Sequence, residues 1–170
     1  MVVLVGPIAA GKNTVADQLA ELLTGRGRTV VVADVDEVAA MVRAPGAAAA
    51  GLWHAAHEAH GALAGQWLRS AVDVVVAVGP IHSREEQEAF ARHLPHEAPV
   101  LWVVIDAPVS VTFSRAQADP GRALSREHEF HHAAHKRFRE LLPEIPADLT
   151  FDSATMTAAG IAAMIAEELG

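Results

Sequence analysis

Short runs of apolar residues alternate along this chain with stretches in which apolar positions recur every three or four residues. "VVLV" at 2–5 is a continuous β-branched run, the pattern of a strand buried on both faces of a parallel sheet. "NTVADQLAELLTG" at 13–25 then puts Val15, Leu19, Leu22 and Leu23 at helical spacing and stops at Gly25. "RTVVVAD" at 28–34 reads as a second buried strand, with a helical stretch over 36–43 after it. The Ala-rich break "APGAAAAG" at 44–51 reads as permissive helix or loop, and a long helix follows over 52–70. "VDVVVAVGP" at 72–80 predicts a third strand, "SREEQEAFARHL" at 83–94 an amphipathic helix, and "VLWVVIDA" at 100–107 a fourth strand. A helix over 109–117, the polar turn "ADPGRALS" at 118–125 and a helix over 126–142 come next. "DLTFD" at 148–152 is a short last strand, and "TAAGIAAMIAEEL" at 157–169 a closing helix. Strands alternating with helices predict an α/β fold, a three-layer sandwich around a five-stranded parallel sheet. Such sheets bind ligands at the carboxyl ends of their strands, which here carry Gly6, Asp34, Gly79 and Asp106.

Composition narrows the function classes. With 170 residues, 51% of them apolar, the chain is expected to form one domain over 1–170 with a full core. It has no cysteine, so disulfides, thiol nucleophiles and cysteine zinc sites drop out. The opening "MVVLVGP" is too short and uncharged for a signal peptide, and no run approaches the ~20 apolar residues of a membrane span. A cytoplasmic protein with no membrane partner is expected. The formal charge of −8 argues against nucleic acid as a partner. Monomer and homodimer stay open.

The stretch "GPIAAGKNT" at 6–14 carries the chemistry: Gly6, four residues, Gly11 and Lys12 spell a phosphate-binding loop between a strand and a helix. Such a turn aims backbone N–H groups and the positive end of the helix dipole at phosphate oxygens. The expected ATP-binding set is Gly6, Ile8, Ala9, Ala10, Gly11, Lys12, Asn13 and Thr14, with Lys12 reaching the β- and γ-phosphates. Asn13 stands where a hydroxyl residue usually ligates Mg²⁺; its amide oxygen can do so, or the ion can be held through waters. The loop resembles that of adenylate and cytidylate kinases, which read Gly-Lys-Gly-Thr. The resemblance implies that Thr14 takes over a phosphate contact.

"ADVDE" at 33–37 ends the second strand, and an extended chain would put Asp34 and Asp36 on one side. One carboxylate then orients magnesium, with Asn13 and Asp34 as the metal set, and the other accepts a proton from an attacking hydroxyl. The competing reading has Asp36 capping the next helix and Asp34 as an ordinary strand end. The pair resembles the Asp-x-Asp of shikimate kinase and the single aspartate of chloramphenicol phosphotransferase and adenylylsulfate kinase, where this region grips the acceptor. "SRAQADPGRALSREHEF" at 114–130 offers Arg115, Arg122 and Arg126 to neutralise charge during transfer, against a reading as solvated helix ends. This layout resembles the lid of the shikimate, gluconate and nucleoside monophosphate kinase group. Together the resemblances imply a nucleoside-monophosphate-kinase-like P-loop fold, with an acceptor-binding segment at about 36–70 and a lid at about 115–130.

Other residues are weighed against simpler roles. Asp73 starts the third strand and reads as a strand cap; Asp106 reads equally as a cap or as a contact to lid or metal. Gly79 would let a ligand approach, with His82, Ser83 or Arg84 facing the acceptor. Trp53, His57, His60 and Trp67 share a helical face that either lines the acceptor pocket or packs the core. "HEFHH" at 128–132 matches His-Glu-x-x-His, a zinc hydrolase pattern, but lacks an obvious third ligand and leaves the phosphate loop unexplained. The expectation is a magnesium-dependent P-loop kinase with ATP as donor and a small hydroxyl-bearing metabolite or antibiotic as acceptor. Lys12, Asp34, Asp36, Arg115, Arg122 and Arg126 form its catalytic set. The alternatives are a nucleoside or nucleotide kinase and a nucleotide-binding regulatory protein without transfer activity.

Overall fold

The computed structural model of the chain describes residues 1–43, 52–79, 81 and 83–170. The break at 44–51 and His82 lie outside the described residues. Five strands, β1 (Val2–Val5), β2 (Val30–Asp34), β3 (Val74–Val78), β4 (Leu101–Asp106) and β5 (Leu149–Asp152), form a parallel sheet in the order β2-β3-β1-β4-β5. Between and after them run α1 (Lys12–Gly25), α2 (Val35–Ala40), α3 (Trp53–Leu68), α4 (Arg84–Ala91), α5 (Val109–Ala118), α6 (His128–Leu141) and α7 (Ala158–Glu168). Short 3-10 turns cover Pro120–Arg126 and Leu142–Glu144.

The continuous apolar runs become strands because both faces of the sheet are covered. Leu4, Val76 and Ile105 pack with Val15 and Leu19 of α1 and with Ile161 and Ile165 of α7. Their neighbours Val3, Val5, Val75 and Val104 point the other way, toward Ala64 of α3, Phe90 of α4 and Phe138 of α6. Full burial of one such side chain is worth about 1.5–3 kcal/mol, so a one-residue slip in register would be costly. β1 pairs with both β3 and β4, and Val5 stands opposite Val104. The chain leaves β1 for β2 on one side and crosses from β3 to β4 on the other, which makes the carboxyl end of β1 a switch point where ligands bind.

Several boundaries move for local reasons. β2 starts at Val30, not Arg28, because the Thr29 N–H and hydroxyl both donate to the Asp73 carboxylate at 2.7 Å, tying β2 to the foot of β3. α2 begins at Val35, directly after the strand, with Asp34 as its N-cap accepting the Asp36 N–H at 2.8 Å. Ser83 and Thr157 cap α4 and α7 in the same way. The polar turn is a 3-10 segment capped by Asp119, and α6 begins at His128.

Candidate active site

The phosphate loop is held by close backbone packing. At Gly6 a Cβ would lie 2.0 Å from the Ile105 carbonyl oxygen of β4, so only glycine lets the loop leave β1 at this angle. Gly11 takes a left-handed conformation, φ 98°, and hands the chain to α1. Ala10 is gripped from behind: its carbonyl accepts from the Ser153 hydroxyl at 2.6 Å and from Arg115 at 3.3 Å. Lys12 is buried and donates to the Gly6 and Pro7 carbonyls at 3.0 and 2.9 Å. Burial lowers its pKa from 10.5 to about 8; Asp36 and Asp34 draw it back up and Arg122 presses it further down.

The two aspartates divide their work. Because the helix starts right after β2, the alternation expected of an extended chain does not apply to Asp36. Asp34 is buried with both oxygens engaged, one by the Asp36 N–H and the other by the Asn13 side-chain amide. The capping role falls to Asp34, where the sequence suggested Asp36. Asp36 instead faces a cavity with Lys12. Desolvation and the neighbouring Asp34 raise its pKa, against the pull of Lys12, Arg122 and His57.

The cavity is about 850 Å³, large enough for a drug-sized ligand. Ile8, Ala9, Gly11, Lys12, Asn13 and Thr14 form its floor. Asp36, Trp53 and Glu86 stand on one side; Arg122 to Ser125, then Phe130, Ala133, Ala134 and Arg137, line the other. Arg122 is paired with Asp119 at 3.0 Å.

Not every expected residue reaches this space. Arg115 turns to the loop after β5, donating to the Ser153 hydroxyl at 2.9 Å and carbonyl at 2.7 Å, and does not line the cavity. Arg126 does not line it either; its carbonyl accepts from Gln117 at 2.5 Å. Gly79 makes room for Val35, whose methyl would lie 2.3 Å from a Cβ, and not for a ligand. Ser83 caps α4, and Arg84 pairs with Glu88 on the surface. The aromatic and imidazole stripe splits: Trp53 lines the cavity, His57 and His60 are buried, and Trp67 is 40% exposed. His60 Nε2–H donates to the Ala33 carbonyl at 2.9 Å, and burial lowers its pKa. In "HEFHH", His128 and His132 stack on each other at 3.9 Å; among the described residues no group of three His, Asp or Glu is arranged around a metal position. Asp106 pairs with Arg139 of α6 at 2.6 Å.

Glu86, Phe130 and Arg137 were not found by motif reading. The available signal was spacing: Phe130, Ala133, Ala134 and Arg137 fall at i, i+3, i+4 and i+7, one face of α6. That face differs from the one carrying His131, His135 and Phe138 into the body.

Among curated proteins none matches the chain. Among solved structures it is similar to a shikimate kinase from Acinetobacter baumannii in complex with shikimate, at 23% identity over 99% of this chain and 91% of that one, with a TM-score of 0.64. It is also similar to a Deinococcus radiodurans tunicamycin resistance protein, at 20% identity over 99% and 95%, TM-score 0.65. A third is an unliganded sugar kinase from Janibacter sp. HTCC2649, at 16% identity over 98% and 93%, TM-score 0.59. At these identities the likeness is one of fold, the P-loop kinase fold. The sequence profile that matches, named AAA domain, covers residues 1–145 and so takes in the phosphate loop, both aspartates and every arginine discussed above. On that match the chain belongs to the AAA domain family, built on a P-loop kinase fold.

Proposed function

We propose that the protein is an ATP-dependent phosphotransferase that moves the γ-phosphate to a hydroxyl of a small metabolite or antibiotic, in the cytoplasm and with magnesium. The observation that carries this reading is a single cavity bringing Lys12 and the phosphate loop together with Asp36 and Arg122. The reaction class is taken from the proteins similar in fold, two of which are named as kinases of small molecules.

Lys12 and the loop N–H groups hold the phosphates, with Thr14 at the start of α1 adding a hydroxyl. The acceptor oxygen attacks the γ-phosphorus, the bond to the β–γ bridging oxygen breaks, and ADP leaves. Asp36 takes the hydroxyl proton; its raised pKa brings it nearer to the pH at which it works. Arg122 neutralises charge on the transferred group. The Asn13 amide oxygen and the Asp36 carboxylate offer hard oxygen donors of the kind that suit magnesium, an ion that keeps several waters. Bound there, it would shield the phosphate oxygens. Asp34, with both oxygens already bonded, orients Asn13 and the start of α2. Arg115 acts behind the loop, through Ala10 and Ser153.

The acceptor wall is largely apolar, with Trp53, Leu124, Phe130, Ala133 and Ala134, and its charged groups are the Asp36 and Glu86 carboxylates and the Arg137 guanidinium. It favours an acceptor with an apolar face. The two aromatic rings also favour a second reading, a nucleoside kinase, since a base stacks on such rings. The test is incubation with Mg·ATP and a panel of hydroxylated metabolites, antibiotics and nucleosides, followed by mass spectrometry for products heavier by one phosphoryl group. The reading fails if no product forms while ATP binds and Asp36→Asn leaves basal ATP hydrolysis unchanged.

A further inference from the structure

We infer that His131 is a positioning residue for Arg122, the buried post to which the segment Pro120–Arg126 is tied. That segment has no buried residue of its own, although Arg122, Ala123, Leu124 and Ser125 all line the cavity. A turn so exposed has little to keep it in one place. It also contains Ala123 at φ 29°, ψ −114°, outside the regions an L-residue favours, so it needs an external hold.

His131 supplies that hold from the first turn of α6. It is fully buried, and its Nδ1 lies 2.9 Å from the Ser125 carbonyl. A carbonyl only accepts, so Nδ1 carries the proton and the ring donates to Ser125. On its far side Nε2 faces the hydroxyl of Thr112, itself fully buried in α5, at 2.9 Å. The Phe113 ring packs edge-on at 5.3 Å and fixes the plane of the imidazole. Burial, with His132, His135 and Arg122 nearby, lowers the His131 pKa against the pull of the Ser125 carbonyl, which suits a neutral structural imidazole. The segment's other side-chain bonds, from Gly121 and Arg122 to Asp119 and from Gln117 to the Arg126 carbonyl, are exposed to solvent and weak, and its backbone bonds, from the Arg122 N–H to the Asp119 carbonyl and from the Glu127 N–H to the Leu124 carbonyl, close only local turns. Ser125 lies three residues after Arg122, across the kink at Ala123, so releasing its carbonyl frees one end of the stretch that carries the arginine.

The tether stands on geometry alone; its effect on rate rests on the phosphotransfer reading, and the test separates the two. His131→Leu removes both bonds, His131→Asn keeps a donor near the Nδ1 position, and Thr112→Val removes only the brace. Limited trypsin digestion of each folded variant reads the tether directly, through cleavage after Arg122 and Arg126. His131→Leu is expected to raise that cleavage rate about tenfold, the equivalent of one buried hydrogen bond, His131→Asn to restore most of the protection, and Thr112→Val to raise it about threefold. In the phosphotransfer assay His131→Leu should lower kcat by a similar factor with little change in acceptor KM, and should add nothing to Arg122→Ala in the double variant. Wild-type cleavage rates in folded His131→Leu, or in Thr112→Val if the leucine variant does not fold, would overturn the inference. Faster cleavage without any phosphorylated product would leave the tether standing and remove the proposed function instead.

Discussion

Lys12 shows what a reactive position costs at the scale of one residue. Its ammonium is buried against two carbonyls, and its pKa falls from 10.5 to about 8. The folded pKa lies below the unfolded one, so the penalty for burying the charge is fully present below about pH 8 and fades as pH rises toward 10.5. It amounts to something on the order of 3 kcal/mol at neutral pH. Lys12→Met is therefore expected to raise Tm at pH 7 while abolishing nucleotide binding, checked by thermal melts with and without Mg·ATP. In the wild-type protein nucleotide affinity should weaken above pH 8, as the free lysine loses its proton. Asp36 works with the opposite sign: its raised pKa means the acid limb of the rate profile should fall at a pH above the ordinary aspartate value of 3.8. Asp36→Asn should cut kcat about 10²–10⁴-fold while Kd for ATP stays near wild type, measured by steady-state kinetics and titration. Phosphate loop chemistry was legible at this scale, because Gly6, Gly11 and Lys12 serve local backbone geometry. The division of labour between Asp34 and Asp36 was not, since it depends on the helix starting at Val35.

Among the elements, the contact of α3 with α4 was hidden in the sequence behind two unremarked glycines. A Cβ on Gly61 would lie 2.1 Å from the Phe90 carbonyl oxygen, and one on Gly65 would lie 2.3 Å from that of His93. In an exposed helix Gly→Ala gains about 1 kcal/mol from propensity, so the sign of the effect is diagnostic. Gly61→Ala is expected to destabilise by about 1–3 kcal/mol, since the two helices must separate. Gly25→Ala, where a Cβ would meet nothing within 4 Å, serves as the control in denaturant unfolding. The longer helices were readable from apolar spacing because α1, α3, α6 and α7 each bury one face. The second face of α6, Phe130 to Arg137, was not recognised, because it borders a cavity and not the core.

For the whole molecule, the late part of the chain reaches back to its beginning. Ser153, after β5, holds the Ala10 carbonyl of the phosphate loop and is itself held by Arg115 of α5. Ser153→Ala is expected to raise KM for ATP several-fold with a smaller change in kcat, read by initial rates over a range of ATP concentrations. Mg·ATP at about a hundred times Kd should stabilise the wild-type chain by about 2.7 kcal/mol, a rise of roughly 5–10 °C in Tm. The sequence by itself determined the strands, the helices and the loop that grips phosphate, because apolar periodicity and glycine geometry act within a few residues. Tertiary structure decided which arginines reach the cavity, sending Arg122 and Arg137 inward while Arg115 braces the loop and Arg126 stays outside. It also filled the space at Gly79 with Val35. The physical reason is the same in each case: where a side chain points is set by how distant segments pack, and no local window of sequence contains that packing.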